Sequence, residues 1–172
     1  DAARLWIAER MNSQVRGMHV AIRNYNDGIS QAQTADGALA QVGNSLHYDP
    51  ELAVQARNST NSSSDKDSLN KEFMELQSEI SRVLGGTTFN GKRILGADAT
   101  SLTFQIGANT TTDDVINITT ENLTTATDIT AVTTTSAVID ATATIGDIAA
   151  VIDDIDAAID NVNNTRATFG AT

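Results

Sequence analysis

The side chains with most potential for chemistry are two histidines and a group of aspartates near the carboxyl end of the chain. His19 and His47 are the only histidines, and neither has a serine nucleophile and an orienting carboxylate at a recognisable spacing. Cysteine is absent, which excludes disulfides, thiolate metal sites and cysteine nucleophiles. We therefore predict that the chain is not an enzyme and uses no cofactor.

The aspartates Asp153, Asp156 and Asp160 recur at intervals of three and four residues, so a helix would place them in one stripe. A hard cation could bind to such a row of carboxylates. The alternative is a solvated acidic face, which we favour because charge runs on helices usually face water. No metal site is therefore predicted.

Composition limits the classes of partner. The net charge of −11 and a pI near 4.3 predict repulsion from nucleic acid and from anionic lipid. No run of 18 apolar residues is present, so no membrane partner is predicted. A chain of 172 residues is long enough for one domain with a hydrophobic core.

The first part of the chain has the periodicity of a long helix. Apolar or small residues recur at alternating steps of three and four residues, a heptad pattern that predicts a helix over residues 2–57. The residues in this pattern are Ala8, Met11, Val15, Met18, Ile22, Tyr25, Ile29 and Ala32. Proline in a helix interior loses a hydrogen bond, so a kink or break is expected at Pro50.

Three further elements follow along the chain. A second heptad pattern, Leu69 to Val83, predicts a helix over residues 65–84 that Gly85-Gly86 ends. Residues 87–119 alternate between apolar and polar side chains and predict a β-hairpin region. A third heptad pattern predicts a helix over residues 145–172, in which Arg166 is the one polar member. The predicted fold class is mainly α, a bundle of long antiparallel helices with a small β-hairpin region.

The Thr-rich segment 120–144 leaves two interpretations open. It could be an exposed connection or a pair of weak strands, or it could be a displayed and variable surface segment. The chain also opens within a helical pattern, with no residue before Asp1 to cap it, and stops just after Phe169-Gly170. We therefore expect it to be a fragment of a longer protein.

Several motifs, in order along the chain, resemble bacterial flagellin. DAARLWIAERMNSQVRG and NYNDGISQAQTADGAL resemble its conserved N-terminal helix, and ELAVQARNSTNSSSD, TTFNGKRIL and FQIGAN continue the resemblance. AIDNVNNTRATFGA resembles the start of its C-terminal conserved region. The resemblance implies a core-domain fragment lacking both terminal segments. Residues 1–119 would form the N-terminal part of that domain, 120–144 a short variable segment, and 145–172 the completing helix.

The resemblance implies a structural subunit of the extracellular flagellar filament, which assembles with copies of itself for motility. It also implies contact with the Toll-like receptor that senses flagellin, through Glu51, Leu52 and Gln55 of the ELAVQA motif. Tyr48-Asp49-Pro50 stands where the family has basic and apolar residues, and an arginine important for the receptor falls at Tyr48. We expect this departure to weaken receptor contact.

Packing between copies needs a long surface rich in small residues. The predicted candidates for subunit packing are Ala32, Ala35, Leu39 and Val42. Two alternatives remain open. One is a binding module on the flagellin scaffold, with a surface made by Arg4, Trp6 and His47–Pro50. The other is a relative of the hook–filament junction proteins.

Overall fold

The predicted fold class is confirmed by a computed structural model, which describes residues 1–58 and 60–170. The chain forms long helices and two small antiparallel strand pairs. In chain order the elements are α1 (Ala2–Ala56), α2 (Ser63–Gly86), β1 (Thr88–Phe89), β2 (Lys92–Arg93), β3 (Ser101–Gln105), β4 (Val115–Thr119), α3 (Thr127–Thr133) and α4 (Ile145–Gly170). A 3₁₀ turn, Thr112–Asp114, precedes β4. Residues 171–172 of the predicted last helix lie outside the described residues.

Helix α1 is continuous through Pro50, so the predicted break is wrong. Leu46 before the proline and Leu52 and Ala53 after it are buried in the core. These contacts keep the segment helical although the proline removes one backbone hydrogen bond. The helix also has a capped start, because the Asp1 carboxylate accepts a hydrogen bond from the Ala3 amide at 3.1 Å.

Helix α2 starts two residues before the predicted boundary because Ser62 and Asp65 form a capping box. The Asp65 amide donates to Ser62 Oγ at 3.1 Å, and the Ser62 amide donates to Asp65 Oδ2 at 3.0 Å. Phe73 and Ile80 are fully buried and pack the helix into the core that it shares with α1.

The two strand pairs occur where the sequence predicts them. β1 and β2 meet at a tight turn in which Asn90 and Gly91 have φ of 51° and 76°, the left-handed pair that a two-residue hairpin requires. β3 and β4 form the larger hairpin, with Phe104 opposite Ile116 and Leu102 opposite Ile118. This hairpin packs on α1 at Gly28, where an added Cβ would lie 3.4 Å from Phe104 Cδ2 and Ile118 Cδ1.

Segment 120–144 is part of the core, so its interpretation as an exposed connection or weak strands is wrong. It contains the helix α3, and several of its apolar side chains are buried. Those side chains are Leu123, Ile129, Val132, Ala137, Ile139 and Ala143. The apolar residues among the threonines therefore cover one side of the helices, which also argues against a merely displayed segment.

Helix α4 runs antiparallel to the second half of α1. An added Cβ on Gly43 would lie 3.9 Å from Val162 Cγ1, and one turn further along α4 the Arg166 Nε donates to Asp36 Oδ1 at 2.9 Å. Because α4 residue numbers rise as α1 numbers fall, the two helices point in opposite directions. Within residues 1–58 and 60–170, no helix has a stretch apolar and long enough to cross a membrane.

Candidate interaction surface

The most unusual surface of the molecule is the first half of α1. Residues 1–27, here called the arm, include no buried side chain, and Gly28 is the first buried residue of the helix. The remaining described residues, 28–58 and 60–170, form the body. Large apolar side chains are nevertheless exposed along the arm: Leu5, Trp6, Ile7, Met11, Val15, Met18, Val20, Ile22 and Tyr25. Exposed apolar surface that is continuous over many residues marks an interaction site.

The predicted heptad pattern explains the arrangement of this surface. Its members from Ala8 to Ile29, here called the apolar stripe, are all exposed, and Met18 retains 62% of its accessible surface. The stripe consists of Ala8, Met11, Val15, Met18, Ile22, Tyr25 and Ile29. From Ala35 to Leu46 the same helix is instead packed into the core. One helix therefore has a partnered half and, within the described residues, an unpartnered half.

The larger hairpin lies beside the stripe without covering it. Asn24 Nδ2 donates to the Gln105 carbonyl at 2.8 Å, which ties the arm to the end of β3. An apolar cleft of about 260 Å³ lies where the two meet, lined by Met18, Ala21, Ile22, Tyr25 and Ile106. The cleft is large enough to accept an apolar side chain from another molecule.

Most of the predicted subunit-packing residues lie in the core of the chain and not on the arm. Ala35, Leu39 and Val42 are fully buried in the chain's own core, and Ala32 is half-buried. In this structure the three buried side chains pack inside the chain and are not accessible to a second copy. Of these four candidates, Ala32 alone keeps part of its surface accessible.

The predicted receptor residues are divided between surface and core. Glu51 and Gln55 are exposed one helical turn apart, whereas Leu52 is buried. Of the residues just before them, Tyr48 is exposed and Asp49 is buried. The motif therefore presents two polar side chains to solvent and anchors the helix with its leucine.

The surface proposed for a binding module is not a single surface. Trp6 and Tyr48 are both exposed on α1, but 42 residues separate them, which corresponds to about 60 Å along a helix. The interpretation that Arg4 and Trp6 form one surface with His47–Pro50 is therefore wrong. Trp6 instead has a local partner, because the Arg10 guanidinium lies 5.5 Å from the centre of its ring.

The residues considered for chemistry lie at the surface of α1 and α4. His19 and His47 are exposed, as are Asp153, Asp156 and Asp160 on α4. Among the described residues, no three histidine, aspartate or glutamate side chains come together in a group that could hold a metal ion.

Two buried polar side chains have no counterpart in the sequence predictions. Gln31 and Asp49 are both fully buried on α1, and within the described part of the chain neither side chain has a hydrogen-bond partner. Burial raises the pKa of the Asp49 carboxyl to about 7. Gln31 directly precedes the predicted pattern member Ala32, and Asp49 directly precedes Pro50, where a kink or break is predicted. Extending the Leu39–Val42–Leu46 spacing by one step would have placed Asp49 in the core.

Comparison with known proteins identifies the family. The family profile of the bacterial flagellin N-terminal helical region matches residues 1–100. The flagellin of Salmonella rubislaw is 51% identical over 109 residues, which is 63% of this chain and 22% of the relative. The B-type flagellin of Pseudomonas aeruginosa is 45% identical over 109 residues, with the same shares of 63% and 22%.

A solved structure extends the similarity to most of the fold. The crystal structure of Bacillus cereus flagellin matches with a TM-score of 0.73 and 31% identity, covering 87% of this chain and 81% of that one. The chain spans about 22% of the length of the curated relatives it matches. With residues 1–100 matching the family profile and the long-helix fold matching a solved member, this chain belongs to the bacterial flagellin family.

Proposed function

We propose that this chain forms the core of a structural subunit of the bacterial flagellar filament, located outside the cell and assembling with copies of itself for motility. Membership of the flagellin family supports this function. The observation that carries it is the single 55-residue helix α1, half of which presents an apolar stripe that none of the described residues covers. Contacts of one surface with a different surface of the next copy do not close on themselves, and they generate helical filaments.

A chimaeric flagellin tests this function. The region of the Salmonella rubislaw flagellin that aligns with this chain over 109 residues is replaced by the aligned residues of this chain, and the gene is expressed in a strain without its own flagellin. We expect long filaments in electron micrographs and swimming in soft agar. Folded chimaera that is secreted but stays soluble would contradict the filament function and favour a junction-type relative.

A core variant provides the negative control for the chimaera. Leu39 is fully buried, so Leu39→Asp places a charge in the core and should prevent folding and filament formation together. The exposed residue Gln41 lies on the same helix, and Gln41→Asp should leave filaments unchanged. Loss of filaments with both variants would mean that the assay reports expression and not assembly.

We also propose that the Toll-like receptor that senses flagellin binds the exposed side of Glu51–Gln55. The exposure of Glu51 and Gln55 on adjacent turns supports this contact, and Leu52 contributes by anchoring the helix in the core. Surface plasmon resonance with the receptor ectodomain tests it. Glu51→Ala should weaken binding and Tyr48→Arg should strengthen it, whereas Glu75→Ala on α2 serves as the control. Equal affinity for all four proteins would contradict the contact.

A further inference from the structure

We propose that the Asp49 side chain, in its protonated form, donates a hydrogen bond to the Leu46 carbonyl, and that loss of this proton opens helix α1 at Pro50. The end of α1 is then a joint that responds to pH. The joint does not depend on the filament or the receptor function. Three features support it: the position of the proline, two buried polar groups that lack a donor, and the few contacts that hold the end of the helix.

Pro50 leaves the Leu46 carbonyl without its helical partner. In an α-helix each carbonyl accepts a hydrogen bond from the amide four residues later, and for Leu46 that residue is Pro50, which has no N–H. Leu46 is fully buried, so water does not reach this carbonyl. A buried carbonyl that lacks its donor destabilises the helix unless another group donates to it.

Asp49 lies at the spacing from which a side chain can reach this carbonyl. It follows Leu46 by three residues, so the two residues share one face of α1. Aspartate side chains can form hydrogen bonds with backbone carbonyls three or four residues earlier. The Asp49 carboxyl is fully buried, and no N–H or O–H group of residues 1–58 and 60–170 donates to it. The helix therefore brings together two buried oxygen groups that both lack a donor.

A proton on Asp49 satisfies both groups. An ionised carboxylate has only acceptor oxygens and repels the carbonyl oxygen of Leu46, whereas a protonated carboxyl has one O–H donor. Burial already favours the protonated form and raises the pKa of the Asp49 carboxyl to about 7. The hydrogen bond to Leu46 acts in the same direction, because only the protonated form can make it.

The titratable groups around Asp49 lie at the surface. Helices α2 and α4 pack against α1, and their charged side chains at the level of Asp49 are exposed or half-buried, as are those of α1 itself. These groups are His47, Tyr48 and Glu51 on α1, Lys66, Lys71 and Glu72 on α2, and Asp153, Asp154 and Asp156 on α4. None of them pairs with the Asp49 carboxyl, whose pKa is raised by burial. The proton on Asp49 is therefore held by burial and by its own helix.

The end of α1 is the part of the core that can open with the smallest loss of contacts. Six residues of the helix follow Pro50, and the buried ones among them are Leu52, Ala53 and Ala56. Movement of this short segment hydrates an ionised Asp49 and exposes only one leucine and two alanines. No hydrogen bond from residue 50 to Leu46 has to break, because the proline has already removed it. Such a local opening needs less free energy than global unfolding.

Hydrogen exchange on the whole chain tests the joint. After correction for the intrinsic pH dependence of exchange, we expect the opening equilibrium of amides 51–56 to rise about tenfold per pH unit between about 4 and about 7 and then to level off. Asp49→Asn cannot ionise and should abolish this rise. The α4 amides are the internal control and should stay at least about tenfold better protected, because they exchange only on global unfolding. Opening of the parent that does not change with pH, or equal protection of the two segments, would overturn the proposal.

A double-mutant cycle tests the hydrogen bond itself. Asp49→Asn keeps a side-chain donor and Asp49→Leu has none, whereas Pro50→Ala supplies the missing N–H to the Leu46 carbonyl. We expect the ratio of the folding equilibrium constants, Asp49→Asn over Asp49→Leu, to be at least about fivefold larger with Pro50 than with Pro50→Ala. Equal ratios in the two backgrounds would show that Asp49 makes no bond to this carbonyl and would overturn the proposal. Circular dichroism checks that all variants retain their helices.

Discussion

Gln77 Nε2 on α2 donates a hydrogen bond to the Val132 carbonyl at 2.9 Å, which joins α2 to the end of α3 across 55 residues of sequence. The same amide group also donates to the Ala137 carbonyl at 3.1 Å. About two turns before it along α2, Asn70 Oδ1 accepts from the Ile139 amide at 3.0 Å. Two buried amide side chains therefore hold a segment that has little regular structure of its own.

Replacing Gln77 should destabilise the chain by more than its side-chain volume suggests. Gln77→Leu leaves the Val132 and Ala137 carbonyls buried without this donor, and we expect the free energy of unfolding to fall by about 2–3 kcal/mol. Urea denaturation measures the change. Ser78→Ala, at an exposed neighbouring position, is the control and should stay within about 0.5 kcal/mol of the parent. Equal effects of the two variants would contradict this role.

Replacing Gln31 should instead stabilise the chain. Its amide is fully buried, and both its polar atoms are without a partner in the described part of the chain, so its desolvation is uncompensated. Gln31→Leu has similar volume and should raise the free energy of unfolding by about 1–3 kcal/mol. Gln41→Leu, at an exposed position on the same helix, should change it little. Thermal and urea unfolding provide the measurement, and destabilisation by Gln31→Leu would show that the amide has a partner such as a buried water.

Alanine substitutions at two glycines should distinguish the effect of helix propensity on stability from the effect of backbone strain. Gly37 is exposed inside α1, with no atom within 4 Å of an added Cβ, so Gly37→Ala should stabilise the chain by about 1 kcal/mol. Gly91 has φ of 76°, so Gly91→Ala should destabilise it by about 1 kcal/mol although space is also free there. Differential scanning calorimetry would show opposite shifts in Tm. Shifts of the same sign would contradict the distinction.

The regular elements could be predicted from sequence because their periodicity is strong. Alternation at Leu102 and Phe104 predicted β3, and heptad spacing predicted both α2 and α4. Periodicity does not show whether a stripe has a partner inside the same chain. The arm and the α4-packed half of α1 therefore look alike in sequence.

The incorrect predictions for segment 120–144 and for Pro50 have a different physical origin. Segment 120–144 is dominated by threonine, and its buried side chains are too irregularly spaced to reveal a face. Its position depends on long-range hydrogen bonds from Asn70 and Gln77, which no local pattern encodes. The predicted break at Pro50 is wrong because tertiary packing outweighs the local cost of proline in a helix.

Asp49 should make the chain less stable as pH rises towards neutrality. Burial raises the pKa of its carboxyl from 3.8 to about 7, so the folded state holds this proton more tightly than the unfolded state does. Its contribution is fully present below pH 3.8 and is lost as pH rises through about 7. Ionisation of Asp49 should lower the free energy of unfolding by at most about 4 kcal/mol, because each pKa unit corresponds to about 1.36 kcal/mol. The Asp49→Asn side chain cannot ionise. The difference in unfolding free energy between parent and variant, measured by urea titrations from pH 4 to 8, therefore reports the Asp49 carboxyl and not the exposed carboxylates. Parallel stability curves would mean that the carboxyl is solvated or paired in solution.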